Sequence, residues 1–358
     1  MTPVIRAIVD AAALRANLAR VRAVAPGSRV LAIIKANGYG HGILHVARAL
    51  AGADGFGVAR LEEGIALRGA GFGQRIVLLE GVFDATQLAR AAGHDFDLVV
   101  HSPEQVALLE QWQGAHAFHV WVKVDSGMHR LGFRPEDFAT AVARLRACPR
   151  VRQPLNFMTH LANADARDTT ATERQLDLFS RLTAAEPGER SMANSAGVFG
   201  FERARGDWVR PGLALYGASP FADTDAASMG LVPAMSLVTR IIALKRVAAG
   251  EAVGYGGAWR APSETLLAIA AAGYGDGYPR NAANGTIVLV NGAAARIAGR
   301  VSMDMMAIDV TGLPRPAVGD PVLLWGPGAP VERAAAAAGT IAYELLCGVS
   351  QRVHLEVH

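Results

Sequence analysis

Val30-Leu31-Ala32-Ile33-Ile34-Lys35-Ala36-Asn37-Gly38-Tyr39-Gly40-His41-Gly42 runs five apolar residues into a lysine and then into a turn rich in glycine. An apolar run of this length, bounded by turn residues, reads as a buried parallel strand. Lys35 stands where that strand leaves the core. Partial desolvation there lowers an ammonium toward the range in which the free amine reacts. Gly38, Gly40 and Gly42 let the following backbone approach a ligand closely, and a phosphate would suit it. On this stretch alone an ordinary strand-end lysine before a tight turn is an equal alternative. Composition shifts the balance. Of 35 basic side chains only Lys35, Lys123 and Lys245 are lysine, and all others are arginine. A chain that takes arginine wherever a generic cation suffices points to a lysine-specific role here, because arginine cannot lose its proton to become a nucleophile.

The same pattern of short apolar segments recurs on either side. The expected strands are Val30–Lys35, Phe56–Ala59, Ile76–Glu80, Asp97–His101, Phe118–Asp125, Leu155–His160, Ser191–Asn194 and Trp208–Arg210. Helical stretches such as Ser102–Trp112 and Arg134–Ala147 separate them. Eight parallel strands with intervening helices is the count of a (β/α)8 barrel, whose active site lies at the strand C-terminal ends. Lys35, Lys123, His160, Asn194 and Arg210 all fall at such ends. Before the barrel, Thr2 to Asp10 reads as a strand, and Asp10 caps a helix through Leu14, Leu18 and Val21. From about Leu231 short alternating runs and Asn-Gly turns, Asn284-Gly285 and Asn291-Gly292, mark a mainly β domain with one Ala-rich helix near Glu332–Ala338. The expected division is a barrel over residues 10–228 and a mainly β domain over 229–358.

At 358 residues the chain suits two domains. A net charge of +3, carried by scattered arginines, argues against nucleic acid as the main partner. Two distant cysteines, Cys148 and Cys347, make no disulfide framework and fit a reducing compartment. No uncharged apolar run is long enough to cross a membrane, and the N-terminus lacks a signal-peptide pattern. The expectation is a cytoplasmic protein with no membrane partner and no metal site.

The strand ends carry extended motifs. Lys123-Val-Asp-Ser-Gly-Met-His-Arg130 follows the fifth barrel strand, Thr159-His160-Leu-Ala-Asn-Ala-Asp165 the sixth, Asn194-Ser195 the seventh, and Arg210-Pro-Gly212-Leu213 the eighth. The β domain adds Val253-Gly-Tyr255-Gly-Gly, Gly273-Tyr274-Gly-Asp-Gly-Tyr-Pro-Arg280, Gly299-Arg300-Val-Ser-Met303-Asp304 and Ala342-Tyr343-Glu344. Over essentially its full length, and in the right order, the sequence resembles the bacterial alanine racemases, pyridoxal 5'-phosphate enzymes built of a barrel and a β domain. The resemblance implies a homodimer with shared active sites, in which the strand Thr2–Asp10 belongs to the β domain.

It also implies roles, and the chemistry agrees with them. Lys35 would hold the cofactor as a Schiff base, which needs an amine. Tyr39, Ser195, Tyr343 and the backbone at Gly212 and Leu213 would cradle the phosphate, with Asn194 beside them. Arg210 would face the pyridine nitrogen and leave it unprotonated, a weaker electron sink that disfavours transamination. Arg130 would bond the cofactor phenolate and the substrate, supported by Lys123, which in relatives is often a carbamate. Racemisation needs one base on each face of a planar intermediate. Lys35 and Tyr255 are the candidates, Tyr255 coming from the partner subunit. A phenol acts as a base only when its anion is stabilised, and His160, linked toward Arg210, would do this. Met303 would bring a backbone amide to the substrate carboxylate. Asp165, Tyr274, Arg280 and Arg300 would line an access channel. Taken singly, Tyr39 and Tyr343 read as packing tyrosines, Tyr255 as a turn residue and the channel residues as solvated surface groups. The competing readings are a racemase preferring another amino acid such as serine, an amino-acid decarboxylase, and a non-catalytic pyridoxal-phosphate carrier. The carrier relatives consist of the barrel alone.

Overall fold

The computed structural model describes residues 4–358. Eight parallel strands close into a barrel in sequence order: β2 (Arg29–Ile33), β3 (Gly55–Val58), β4 (Arg75–Leu78), β5 (Asp97–Val100), β6 (Val120–Lys123), β7 (Asn156–Met158), β8 (Arg190–Ser191) and β9 (Trp208–Val209). Pairing of Arg29 with Trp208 and of Val30 with Val209 closes the ring. All eight expected strands are present, and each stops one to three residues before its expected end. Ladder bonding ends where the strands splay at the mouth, so the residues with reactive groups lie just past the sheet. Ile34 still donates its N–H to the Gly57 carbonyl at 3.0 Å, and Lys35 is the next residue.

The helices between the strands follow their sequence signals. Asp10 accepts from the amides of Ala12 and Ala13 and starts the helix Ala11–Val24, which buries Leu14, Leu18 and Val21. Proline at the first helical position opens Pro103–Gln111 and Pro135–Ala147, where its missing N–H costs nothing.

Of the expected N-terminal strand, Thr2 and Pro3 lie outside the described residues. What forms is β1 (Arg6–Val9), which does not join the barrel. It pairs antiparallel with β10 (Met235–Val247) and parallel with β18 (His354–Val357). Those three strands belong to an eight-stranded sheet completed by β13 (Thr265–Ala270), β14 (Ile287–Val290), β15 (Ala293–Ile297), β16 (Met306–Asp309) and β17 (Pro321–Trp325). The thirteen-residue β10 carries β1 and β17 on its first half and β13 on its second. A short ribbon, β11 (Ala252–Val253) with β12 (Trp259–Arg260), stands apart from the sheet and ends beside Tyr255.

Asn291-Gly292 is a two-residue hairpin turn with both residues at positive φ, as its sequence demands. Asn284-Gly285 is not a hairpin. Its Asn284 side chain instead ties the Ala258 carbonyl to the Gly299 amide. The strands β15 and β18 and the helix Ala342–Cys347 had no clear sequence signal, since Ala-rich and two-sided polar runs show no periodicity.

Candidate active site

The turn after β2 has an unusual backbone. Ala36, Asn37, Gly38 and Tyr39 are all left-handed, with φ between 50° and 63°. Left-handed conformation costs a non-glycine residue roughly 1–2 kcal/mol, so this turn persists only because its surroundings fix it. The fixings are visible. Asn37 Oδ1 accepts from the Ile43 amide at 3.0 Å, and Glu63 accepts from the amides of Asn37, Ala59 and Arg60. Gly38 is required, because a Cβ there would lie 2.8 Å from Val46 Cγ2. The turn delivers Lys35 and Tyr39 together to a cleft of about 500 Å³ at the barrel mouth.

Lys123, Arg130, His160 and Arg210 line the same cleft. Arg210 is buried, and its Nη1 donates to Ser191 Oγ while Nη2 donates to the carbonyls of Thr159 and Met192. Among the described residues its Nε has no protein partner. Burial lowers the Arg210 guanidinium to about 10, which leaves it charged at neutral pH. Its Nη2 also makes a long contact of 3.5 Å to His160 Nδ1. Burial, then Arg210 and the other cations nearby, hold His160 well below the usual imidazole range, so the ring is neutral. With a guanidinium donor at Nδ1, its proton sits on Nε2. Burial, with Arg210, Arg130 and Lys35 close by, lowers Lys123 to about 8. Four cationic side chains thus share the cleft with one carboxylate, Glu80, which is itself bonded to Arg60.

One wall forms an anion cradle. Asn194 caps the helix Ser195–Gly200 by accepting from the Gly197 amide, and Ser195 Oγ accepts from the amides of Gly212 and Ala214. Asn194, Ser195 and Gly212 line the cleft, whereas Leu213 is buried behind it. A Cβ on Gly212 would stand 2.5 Å from the Tyr39 hydroxyl, so only glycine keeps this cradle open. The Tyr39 ring stacks on Tyr216 at 4.7 Å and approaches Tyr343 at 5.8 Å. Burial pushes both cleft phenols up, Tyr343 to about 12 with help from Asp165, so each remains a proton donor.

The remaining expected residues do not reach this cleft. Tyr255, Tyr274, Arg280, Arg300 and Met303 form an exposed patch on the β domain, with Tyr255 61% and Met303 52% exposed. Arg280 lies over the rings of Tyr255 and Tyr274 at 5.6 and 5.5 Å and donates to the Val301 carbonyl. Arg352 clamps the loop that bears Met303 by bonding Asp276 and Asp304 at 2.7 and 2.6 Å. Asp165 is exposed beside Tyr343 and is not part of the cleft wall. Sequence reasoning missed Glu80, Ile341 and Cys347 in the wall. Glu80 could have been found as another polar strand end, whereas Ile341 and Cys347 stand just before and at the end of a helix, Ala342–Cys347, with no legible signal. Among the described residues no cluster of His, Cys, Asp and Glu is suited to a metal ion, and no helix is long and apolar enough to cross a membrane.

Comparison with known proteins gives one answer. The family model of the alanine racemase N-terminal domain matches residues 9–220, and that of the C-terminal domain matches residues 234–357. The chain is 52% identical to the alanine racemase of Shewanella baltica (strain OS185) and 51% identical to that of Shewanella sediminis (strain HAW-EB3). Each match runs over 353 residues and covers 99% of both sequences. Among solved structures, the biosynthetic alanine racemase from Pseudomonas aeruginosa superposes with a TM-score of 0.97 at 46% identity, over 100% of both chains. The Acinetobacter baumannii alanine racemase gives 0.94 at 38%, again over 100% of both.

Proposed function

The chain belongs to the alanine racemase family, and from that premise we propose how its residues carry out the reaction. The protein is an isomerase that interconverts L-alanine and D-alanine. The observation that carries the detailed reading is the cleft. Two lysines, two arginines and an open glycine-lined cradle face a volume the size of a small phosphorylated cofactor. This donor set fits pyridoxal 5'-phosphate. The cradle of Ser195, Gly212 and Tyr39 would take the phosphate, Lys35 the aldehyde carbon, Arg130 the phenolate and Arg210 the ring nitrogen. When bound, that group supplies an electrophilic carbon and a ring that draws electrons from the substrate's α-carbon.

The chain's own residues then handle binding and protons. The Lys35 amine would take or return the α-proton on one face. Tyr255 of the partner subunit does so on the other, in a homodimer with two shared sites. His160, neutral and protonated on Nε2, donates to the phenolate oxygen and stabilises it. Arg130 and the Met303 backbone fix the substrate carboxylate, while Met303 and Tyr343 crowd the side chain so that a methyl group is preferred. Asp165, Tyr274, Arg280 and Arg300 form the access channel. The uncharged fraction of Lys123 adds carbon dioxide, releasing a proton and leaving a carbamate that pairs with Arg130. We place the domain division at residue 229, the enzyme in the cytoplasm, and its D-alanine in the supply of peptidoglycan precursors.

The test is chiral analysis of L-alanine incubated in heavy water with protein loaded with pyridoxal phosphate, followed by borohydride reduction and peptide mapping. D-alanine labelled at the α-carbon and a modified Lys35 peptide are expected. A label on Lys123 or Lys245 would refute the assignment of Lys35.

A further inference from the structure

Gln175 lies on the helix Thr170–Thr183, outside the barrel wall, yet it is only 3% exposed and every polar atom of its amide is bonded. Its Oε1 accepts from the Ala162 amide at 2.9 Å. Its Nε2 donates to the His160 carbonyl at 3.0 Å and to Ser126 Oγ at 3.3 Å. An N–H on one side and a carbonyl on the other leave no ambiguity about which way the amide points. From Ser126 the chain continues through Thr159 Oγ1 at 2.7 Å to the Val124 carbonyl at 3.0 Å. A buried polar network satisfied at each of these atoms fixes one arrangement, since any displacement strands a donor or acceptor.

This network joins two loops that carry reactive groups. The loop after β7 contains Thr159, whose carbonyl accepts from Arg210, and His160, whose Nδ1 faces the same guanidinium. The loop after β6 contains Ser126 and ends in Arg130, and the Gln175 stem lies beneath Gly127 in that loop, with its Cγ 3.4 Å from where a Cβ would stand. Thr159, which lines the cleft, ties the same two loops through its own Oγ1, and Gln175, which does not reach the cleft, extends that tie from outside to the His160 carbonyl and the Ala162 amide. We propose that Gln175 is a positioning residue that holds the backbone of Thr159 to Ala162 in register with the Arg130 loop, and thereby aims His160 at the oxygen of Tyr255. The proposal rests on the reading of His160 as the group that stabilises the Tyr255 phenolate.

The test uses Gln175→Leu and, should that variant fold poorly, Gln175→Glu, which keeps the shape but sets an oxygen against the His160 carbonyl. In the cofactor-free protein, amide exchange of the peptide covering residues 159–163 should rise about tenfold, with the barrel strands unaffected. In the loaded enzyme, turnover per bound cofactor should fall about 10- to 100-fold with little change in KM. The decisive readout is isotopic. If only the step at Tyr255 slows, the effect of α-deuterated substrate grows in the direction that begins at Tyr255. The solvent-deuterium effect grows in the opposite direction. A structural role alone would lower the melting temperature and the yield while leaving both isotope effects unchanged, and that result overturns the proposal. Unchanged exchange at 159–163 overturns it as well. Near-normal racemisation by Tyr255→Phe would remove the underlying reading instead, and is recognised separately because Gln175 is intact in that variant.

Discussion

The barrel mouth and the exposed patch on the β domain, the two halves of the proposed chemistry, are built differently. At the mouth, the reactive groups are tied down. Arg210 is buried and bonded to three oxygens, Ser195 is locked onto two backbone amides, and Lys35 rides on a strained turn clamped by Asn37 and Glu63. On the patch, Tyr255 and Met303 face solvent, and Tyr255 lines no part of its own chain's cleft. The patch is nevertheless organised from below, by Arg280 against two rings and by the Arg352 clamp. Ordering an exposed tyrosine has little value unless something is to meet it. The contrast fits the proposed dimer, in which the patch of one copy would supply the face that the mouth of another lacks.

The most severe way to break the mouth is Lys35→Ala. On the proposed roles it removes both the amine that would attach the cofactor and the base on one face, so racemisation should fall by at least about 10³-fold and the visible absorbance of the bound cofactor should disappear. A variant that retained both would place the chemistry elsewhere. Tyr255→Phe breaks the patch, with an expected loss of about 10²- to 10³-fold and normal absorbance. Mixing the two inactive variants sharpens the comparison. With random exchange, about half of the dimers are mixed and one of their two sites is intact, so about a quarter of full activity should return. Proven exchange without recovery would put both bases in one chain.

Much of the mouth was legible in the sequence, because barrel strands are apolar runs and their ends are where a lysine or histidine stands out. Lys35, Lys123, His160 and Arg210 were found in this way. The left-handed turn was not, although Asn37-Gly38 is the dipeptide that tolerates it best. What hid it is that the turn is imposed by distant partners, Glu63 and Val46, and local propensity does not report them. Gln175 was hidden for the same reason, since a polar residue in a helix reads as surface until the loops it bonds are seen. The patch was legible only through resemblance. Tyr255 between glycines gives no sign by itself of the role proposed for it.

A gentler break is Gly212→Ala, whose Cβ would press on the Tyr39 hydroxyl at 2.5 Å. Overpacking of this kind costs about 1–3 kcal/mol, so retention of pyridoxal phosphate should weaken about tenfold, as read by equilibrium dialysis. Adding Tyr39→Phe should relieve part of the clash, making the pair less harmful than the sum of the two. Gly69→Ala, at a position with nothing within 4 Å, should leave retention unchanged. Equal losses from both glycines would mean that the cradle is not what holds the phosphate.

The smallest expected effect concerns the surplus of charge that sets the mouth apart from the patch. Lys123 is lowered from 10.5 to about 8, first by burial and then by Arg210, Arg130 and Lys35. A lysine that binds its proton less tightly when folded destabilises the fold at every pH below its folded pKa. The penalty, up to about 3 kcal/mol, is relieved as pH rises from about 8 to 10.5. Stability of the cofactor-free wild type should therefore climb through that window more steeply than stability of Lys123→Met, and the variant should be the more stable of the two at pH 7. Bicarbonate offers another relief. A carbamate on Lys123 replaces three repulsions by three attractions, so at pH 8 dissolved bicarbonate should raise the melting temperature of the wild type by about 2 °C for each kcal/mol gained. Lys123→Met should not respond. A bicarbonate shift of the same size in both proteins would mean that the ion acts elsewhere, and that the cations of the mouth are balanced by the cofactor alone.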